Sequence, residues 1–337
     1  VPAAICLTPI LSGRYRPADL DRIREAAPGS ELITVSLEGL TDADLTGVEA
    51  MLRGPLPAAT FDRLMARCPN LRWVHSATAG VERVLTPQAR EHGLVITNAR
   101  GVFSEPIAEY VLMMILAVVR RLPQLLELQR ERTWQPLEAS EMREVTVGVV
   151  GLGSIGLEVA HLAHRFGARV IATRKGGAHG ASGVPGDAEA DSAPRVEGVE
   201  VLPAEDLDDL LARSDFVVLA LPLTPDTEDL FDAERLARVK PGSWLINVAR
   251  GRLVNEQALL RALHDGPLGG AVLDTFREEP LPPESPLWGV PNLIVTPHTS
   301  WSSGRVLDRS VELFCDNLRR YASGDLLLNV VDWGKGY

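Results

Sequence analysis

Over the first 100 residues, short apolar runs alternate with polar, helix-like stretches. Runs at 3–7, 32–35, 50–52, 73–76 and 94–97 have the length and bounding residues of strands. Stretches 17–26 and 59–67 between them have helical character. The order β-α-β-α predicts a parallel sheet covered by helices. No Gly-rich phosphate loop follows any of these strands, so this half is read as holding no nucleotide.

The pattern then changes. Residues 107–122 are apolar on most helical faces, and 125–132 continue in the same manner. Such helices bury most of their surface, against another domain or against another subunit. A second α/β unit opens at Val145. A strand at 146–150, a glycine turn at 151–156, a helix at 155–166 and a strand at 169–173 follow in order. Residues 176–198, rich in Gly, Ala, Pro and Asp and without periodicity, read as a surface loop. Further strands are expected at 216–219, 244–247, 270–274 and 293–296, with helices at 207–212, 233–239 and 256–264. A last helix at 306–321 precedes the tail. The acidic pairs Glu205-Asp206 and Asp208-Asp209 suit a solvated helix start.

Length and composition add bounds. The 337 residues suit about two domains at ~150 residues each. Apolar residues make 45% and charged residues 23%, which suits a folded globular chain. The longest apolar run, 111–119, is nine residues, against about 20 for a membrane span. Residues 1–10 lack a basic leader and read as a first strand rather than a signal peptide. Lys and Arg total 34 against 45 Asp and Glu, a net charge of −11, which disfavours a nucleic-acid partner. Three scattered cysteines, Cys6, Cys68 and Cys315, suit a reducing, cytoplasmic setting without disulfides. Cys68 and Cys315 read as small buried hydrophobes.

The sharpest local signal is Gly151-Leu152-Gly153-Ser154-Ile155-Gly156, a GxGxxG directly after a strand and opening a helix. Gly151 permits the tight turn, Gly153 lets backbone approach a pyrophosphate, and Gly156 lets helix and strand pack closely. The N–H groups of Ser154 and Ile155 then face the anion at a helix N-terminus. At the end of the next strand, an NAD site carries an acidic residue for the ribose 2′-OH. Here that strand ends Thr173-Arg174-Lys175, without a carboxylate. Arg174 suits a 2′-phosphate and Lys175 adds charge. The expectation is NADP(H) in preference to NAD(H).

Three later segments carry candidate chemistry. Arg250 sits just past a strand, at the edge where α/β sheets bind ligands; its fork suits a carboxylate and a polarised carbonyl, although spacing alone also permits a surface arginine. His298, in Thr296-Pro297-His298, is the natural proton donor near neutral pH. Glu279 is the candidate carboxylate for its other ring nitrogen, with Glu278 the solvated neighbour. His161 and His164 share a helix face, but no third ligand is evident and no metal site is expected. His75, His92, His179 and His264 sit in no motif.

Together with Ala79-Gly80-Val81, Asn98-Ala99-Arg100-Gly101-Val102, Ala108-Glu109 and Leu221-Pro222-Leu223-Thr224-Pro225, the glycine loop, Arg250-Gly251, Glu279-Pro280 and Pro297-His298 form a set. This set resembles the D-isomer-specific 2-hydroxyacid dehydrogenases, a family that includes glyoxylate/hydroxypyruvate reductases. The resemblance implies two doubly wound parallel-sheet domains, a Rossmann nucleotide-binding domain (106–298) inserted in a flavodoxin-like substrate domain (1–105 and 299–337), with substrate in the cleft between them. It implies that Arg250 binds the substrate carboxylate and keto oxygen, that His298 is the general acid/base, and that Glu279 orients it. It assigns the substrate carboxylate also to the Ala79 and Gly80 N–H groups, and the nicotinamide carboxamide to Asp274. Thr173, Leu221, Pro222, Val248 and Ala249 complete the expected cofactor contacts. A homodimer through the nucleotide domain is implied as well.

The expected reaction is hydride transfer between NADPH and a small 2-keto acid, giving a D-2-hydroxy acid. An alternative on the same fold is a dinucleotide-sensing, corepressor-like interaction protein. The family's formate dehydrogenases predict Gln where Glu279 stands, which argues against formate oxidation. Thr299-Ser300-Trp301 departs from the family's commoner pattern, and Trp301 is read equally as pocket wall or as core.

Overall fold

The structure is a computed structural model describing residues 1–10, 15–175 and 197–334. The expected loop at 176–198 therefore lies, except for its last two residues, outside the described residues, as does His179. The chain divides into two compact units, Val1–Phe103 with Ser303–Tyr337, and Ser104–Ser302. The sequence reading puts the joints at 105/106 and 298/299, a few residues from these.

In the first unit, five parallel strands are ordered β2-β1-β3-β4-β5. They are β1 (Ala4–Leu7), β2 (Glu31–Thr34), β3 (Val48–Arg53), β4 (Trp73–Ser76) and β5 (Val95–Asn98). This is the flavodoxin-like order. β1 and β4 are buried at every position; β1 is a continuous apolar run, and β4 buries His75 and Ser76 as well. On one face, α1 (Pro17–Ala26) packs beside α10 (Val306–Ser323). Phe314 and Tyr321 of α10 stack on Trp73 at centroid distances of 5.3 and 5.6 Å. On the other face lie Phe61 and Leu64 of α2 (Ala58–Met65) and Ala89 of α3 (Pro87–Glu91). Residues beyond α10 bond to edge strand β5, Val331 N–H donating to the Ile96 carbonyl at 2.8 Å, which covers an otherwise open edge. Cys6, Cys68 and Cys315 are all buried and free.

In the second unit, seven parallel strands are ordered β12-β11-β10-β9-β6-β7-β8. In chain order they are β6 (Thr146–Val150), β7 (Arg169–Arg174), β8 (Val199–Pro203), β9 (Phe216–Leu219), β10 (Trp244–Asn247), β11 (Gly270–Leu273) and β12 (Leu293–Val295). Six of them reproduce the doubly wound dinucleotide-binding order, with the reversal between β6 and β9. One face is covered by leucines of α7 (Leu207–Arg213), α8 (Ala233–Leu236) and α9 (Glu256–His264). The helix α6 (Ser154–Arg165) packs on β6 and β7, with α4 (Ser104–Val119) against it.

Several expectations change. β8 is an additional strand at the sheet edge; its residues are half-buried or exposed, so no apolar run marks it. α8 stops at Leu236 rather than 239. Residues 122–130 form a helix, α5 (Leu122–Arg130), with no buried residue; Leu122, Leu125 and Leu126 are exposed. Within this chain α5 does not bury the surface its composition suggests. No helix among the described residues is long and apolar enough to cross a membrane.

Candidate active site

The predicted site residues of the second unit follow the carboxyl ends of successive strands. Reading along the sheet, His298 follows β12, Asp274 β11, Arg250 β10, Leu221 and Pro222 β9, and the glycine turn β6, while Arg174 ends β7. Parallel α/β sheets bind ligands at this edge, beside the reversal point. At about 4.8 Å per strand interval, the row from β12 to β7 extends about 24 Å.

The glycine turn has the shape its spacing predicts. Gly151 adopts φ +97°, and a Cβ there would meet the Ala220 carbonyl and Leu221 Cβ at 2.9 Å. A Cβ on Gly156 would lie 2.0 Å from the Gly151 carbonyl oxygen, so the first turn of α6 presses on the loop backbone. Gly153 differs: no protein atom lies within 4 Å of its Cβ position. Its side opens to free space at the N-terminus of α6, where first-turn N–H groups lack helical partners. These features fit a dinucleotide pyrophosphate. Thr173 is buried and its carbonyl accepts the Gly151 N–H at 3.2 Å; Arg174 is half-buried and Lys175 exposed.

Arg250 is shaped by its neighbours. Asn247 ends β10 and folds over the turn, accepting the Ala249 N–H at 3.1 Å and donating to the Arg250 carbonyl at 2.9 Å. Val248 and Ala249 are buried in that turn. A Cβ on Gly251 would lie 1.9 Å from the Phe276 carbonyl carbon. Glycine thus lets the Arg250 turn press against the loop carrying Glu279.

In that loop, Glu279 Oε1 accepts the Phe276 N–H at 3.0 Å, while Oε2 lies 2.8 Å from His298 Nδ1. An ionised carboxylate only accepts, so Nδ1 carries the hydrogen and Nε2 is left for proton exchange. Burial works to raise the Glu279 carboxyl. The His298 hydrogen bond, the Phe276 N–H and the charges of His298 and Arg250 outweigh it and hold the group below its ordinary value. The Arg250 turn reaches the same loop through Gly251, which packs on Phe276. Glu278 is exposed.

Asp274 is fully buried. Its Oδ1 accepts the Thr296 hydroxyl at 2.7 Å and the Thr299 N–H at 2.8 Å; Oδ2 accepts the Ser300 N–H at 2.9 Å. The amides after His298 are thereby anchored. His298 itself has φ +49°. Trp301 is half-buried, and its indole N–H donates to the His298 carbonyl at 2.7 Å, a bond to the turn that composition does not reveal.

Ala79 and Gly80 belong to the first unit, after β4. The Ala79 carbonyl accepts from Asn98 Nδ2 at 3.0 Å. The Gly80 N–H, in the same trans peptide, therefore points the opposite way. His161 lies 4.0 Å from Glu158. Among the described residues, no group of three or more His, Cys, Asp or Glu side chains is placed to hold a metal ion.

The family model for the D-isomer-specific 2-hydroxyacid dehydrogenase NAD-binding domain matches residues 112–300, more than half of the chain. The chain belongs to the D-isomer-specific 2-hydroxyacid dehydrogenase family. A glyoxylate reductase from Korarchaeum cryptofilum (strain OPF8) is 30% identical over 325 residues, covering 93% of this chain and 90% of its own. Among solved structures, a D-isomer-specific 2-hydroxyacid dehydrogenase from Xanthobacter autotrophicus Py2, in complex with NADPH and MES, is 31% identical. It aligns over all of both chains with a TM-score of 0.84. An NADPH-dependent glyoxylate/hydroxypyruvate reductase from Sinorhizobium meliloti, in complex with NADP and sulfate, is 31% identical with a TM-score of 0.82. That alignment covers 99% of this chain and 100% of the other. This dehydrogenase is thus an NAD(P)-dependent oxidoreductase acting on the CH–OH group of a small molecule.

Proposed function

We propose that this 2-hydroxyacid dehydrogenase reduces a small 2-keto acid, such as glyoxylate or hydroxypyruvate, with NADPH in preference to NADH. The observation that carries the reading is the 2.8 Å His298–Glu279 pair, with the Arg250 turn packed on the Glu279 loop, on the strand-end row that includes the glycine turn. Two similar structures carry NADPH or NADP, and similar proteins are described as glyoxylate reductases, which supports the cofactor and substrate class.

Gly153, Ser154, Ile155 and Gly156 would hold the pyrophosphate, and Thr173, Arg174 and Lys175 the ribose and its 2′-phosphate. Leu221, Pro222, Val248 and Ala249 would flank the cofactor, with the nicotinamide carboxamide directed to Asp274. When bound, the cofactor supplies a hydride to the keto carbon. Arg250 binds the carboxylate and the keto oxygen, and its charge counts most as that oxygen becomes negative. The Ala79 and Gly80 N–H groups hold the carboxylate. His298 gives its Nε2 proton to the oxygen, and in the oxidative direction takes it back. Glu279 favours the imidazolium and fixes the ring's tautomer.

A homodimer belongs to the same reading, supported by the exposed Leu122, Leu125 and Leu126 of α5. A reducing, cytoplasmic setting is supported by the three buried, free thiols. The test follows the absorbance of reduced nicotinamide with glyoxylate, hydroxypyruvate, pyruvate and bulkier 2-keto acids, each with NADPH and NADH. Turnover of the small acids with an NADPH advantage is expected. No turnover with any of them overturns the reading, and a clear NADH advantage overturns its cofactor half.

A further inference from the structure

Tyr110 lies within the most apolar helix of the second unit, α4, and is 8% exposed. Its hydroxyl oxygen is 2.6 Å from Thr296 Oγ1, which is 2.7 Å from Asp274 Oδ1. Chemistry fixes the direction of this chain. The Asp274 carboxylate has no hydrogen to give, so the Thr296 hydroxyl donates to it. The Thr296 oxygen then offers only lone pairs, and the Tyr110 O–H is the donor. Burial, with the Asp274 charge adding to it, pushes the phenol up to about 12, which keeps that hydrogen in place.

Asp274 carries no ion pair among the described residues. Its charge inside the protein is held by the Thr296 hydroxyl and by the N–H groups of Thr299 and Ser300. Those two amides directly follow His298, whose left-handed backbone is maintained by what surrounds it. A donor on Thr296 fixes its rotamer and strengthens its own bond to Asp274, since linked hydrogen bonds polarise one another. α4 also packs on α6, the helix that the glycine turn opens. One helix therefore touches both the cofactor-loop helix and, through Tyr110, the anchor of the histidine turn.

We propose that Tyr110 is a positioning residue for His298, acting through Thr296 and Asp274 on the two amides that hold the histidine turn. The inference rests on the reading of His298 as the acid/base group. A tyrosine that merely fills the core would affect stability alone. The test compares Tyr110→Phe, Thr296→Val, the double variant and Thr296→Ser, reading kcat and KM with NADPH and glyoxylate. Thermal stability and amide exchange at Thr299 and Ser300 are measured on the same proteins without substrate.

Tyr110→Phe is expected to lower kcat about 5-fold or more, with the keto-acid KM within about twofold, because positioning acts on the bound state. Thr296→Val should lower kcat at least as far, the double variant no further than Thr296→Val, and Thr296→Ser should restore most of it. Exchange at Thr299 and Ser300 should quicken about 10-fold in Tyr110→Phe while that of β6 and β10 stays unchanged. An unchanged kcat, losses that multiply in the double variant, or uniformly faster exchange overturns the proposal. If the wild-type protein reduces no keto acid, the functional reading fails, and exchange at the two amides still decides whether Tyr110 holds the turn.

Discussion

Glu279 reaches His298 with one oxygen and its own loop with the other: Oε2 lies 2.8 Å from Nδ1, and Oε1 accepts the Phe276 N–H at 3.0 Å. The carboxylate is thus fixed before any substrate arrives, and the ring takes its orientation from it. Phe276 in turn is pressed by Gly251, the residue after Arg250. The two charged groups of the proposed mechanism share one packed corner of the second unit.

Glu279→Gln keeps the shape and removes the charge. The ring then loses the charged acceptor at Nδ1 that fixes its orientation. The rate of keto-acid reduction is expected to fall by about 10-fold or more. Steady-state kinetics check this. An unchanged rate would remove Glu279 from the mechanism.

Two glycines separate cofactor contact from folding. Gly156→Ala forces a Cβ onto the Gly151 carbonyl oxygen at 2.0 Å, and it should lower both stability and cofactor affinity. Gly153→Ala meets no protein atom within 4 Å. It should leave the melting temperature within about 2 °C, a change of about 1 kcal/mol or less, yet weaken NADPH binding about 10-fold or more. Calorimetry and fluorescence titration read the two effects. Unaltered affinity in Gly153→Ala would place the pyrophosphate elsewhere.

The end of β7 makes the cofactor preference testable. Arg174→Ala with Lys175→Ala should raise the KM for NADPH by about 10- to 100-fold, from loss of charge-assisted contacts to a 2′-phosphate. The KM for NADH should change by less than about threefold. Equal changes for both cofactors would mean that neither side chain reads the phosphate.

His75 predicts a pH effect on stability outside the site. It is fully buried in β4 beside Trp73 and Phe314, with Nδ1 2.8 Å from Thr97 Oγ1. Burial pushes its pKa down to about 3. Between that value and the ordinary 6.5, the unfolded chain binds a proton that the folded chain refuses. Stability is therefore full above pH 6.5 and declines as the pH falls toward 3. Between pH 6.5 and 4 the loss is at most about 3 kcal/mol. Urea unfolding should show a steeper acid decline in the wild type than in His75→Gln; parallel declines would contradict it.

What was legible in the sequence follows from burial. β4, β6, β9 and β10 are short and almost wholly buried, and their observed bounds match the runs read from the sequence. α1 and α9 also match, each having a clear polar and apolar face. α3 escaped because its five residues include one buried position, Ala89. β8 escaped because an edge strand needs no apolar alternation. In the site, Gly151, Gly153 and Gly156 could be read because glycine answers a backbone requirement. Asp274 could not be read as the anchor of the His298 turn, because its three donors come from residues 22 to 26 positions away. Tyr110 was hidden in an apolar helix, where its ring explains its presence and its hydroxyl gives no sequence signal.

The account stands most directly on single-turnover rates of the Arg250→Ala and His298→Ala proteins with saturating NADPH and glyoxylate. Each variant should bind NADPH and unfold near the wild-type temperature while reducing the keto acid at least about 100-fold more slowly, the scale of a lost acid/base or charge-stabilising group. A rate within about threefold of wild type in either variant would contradict the assignment.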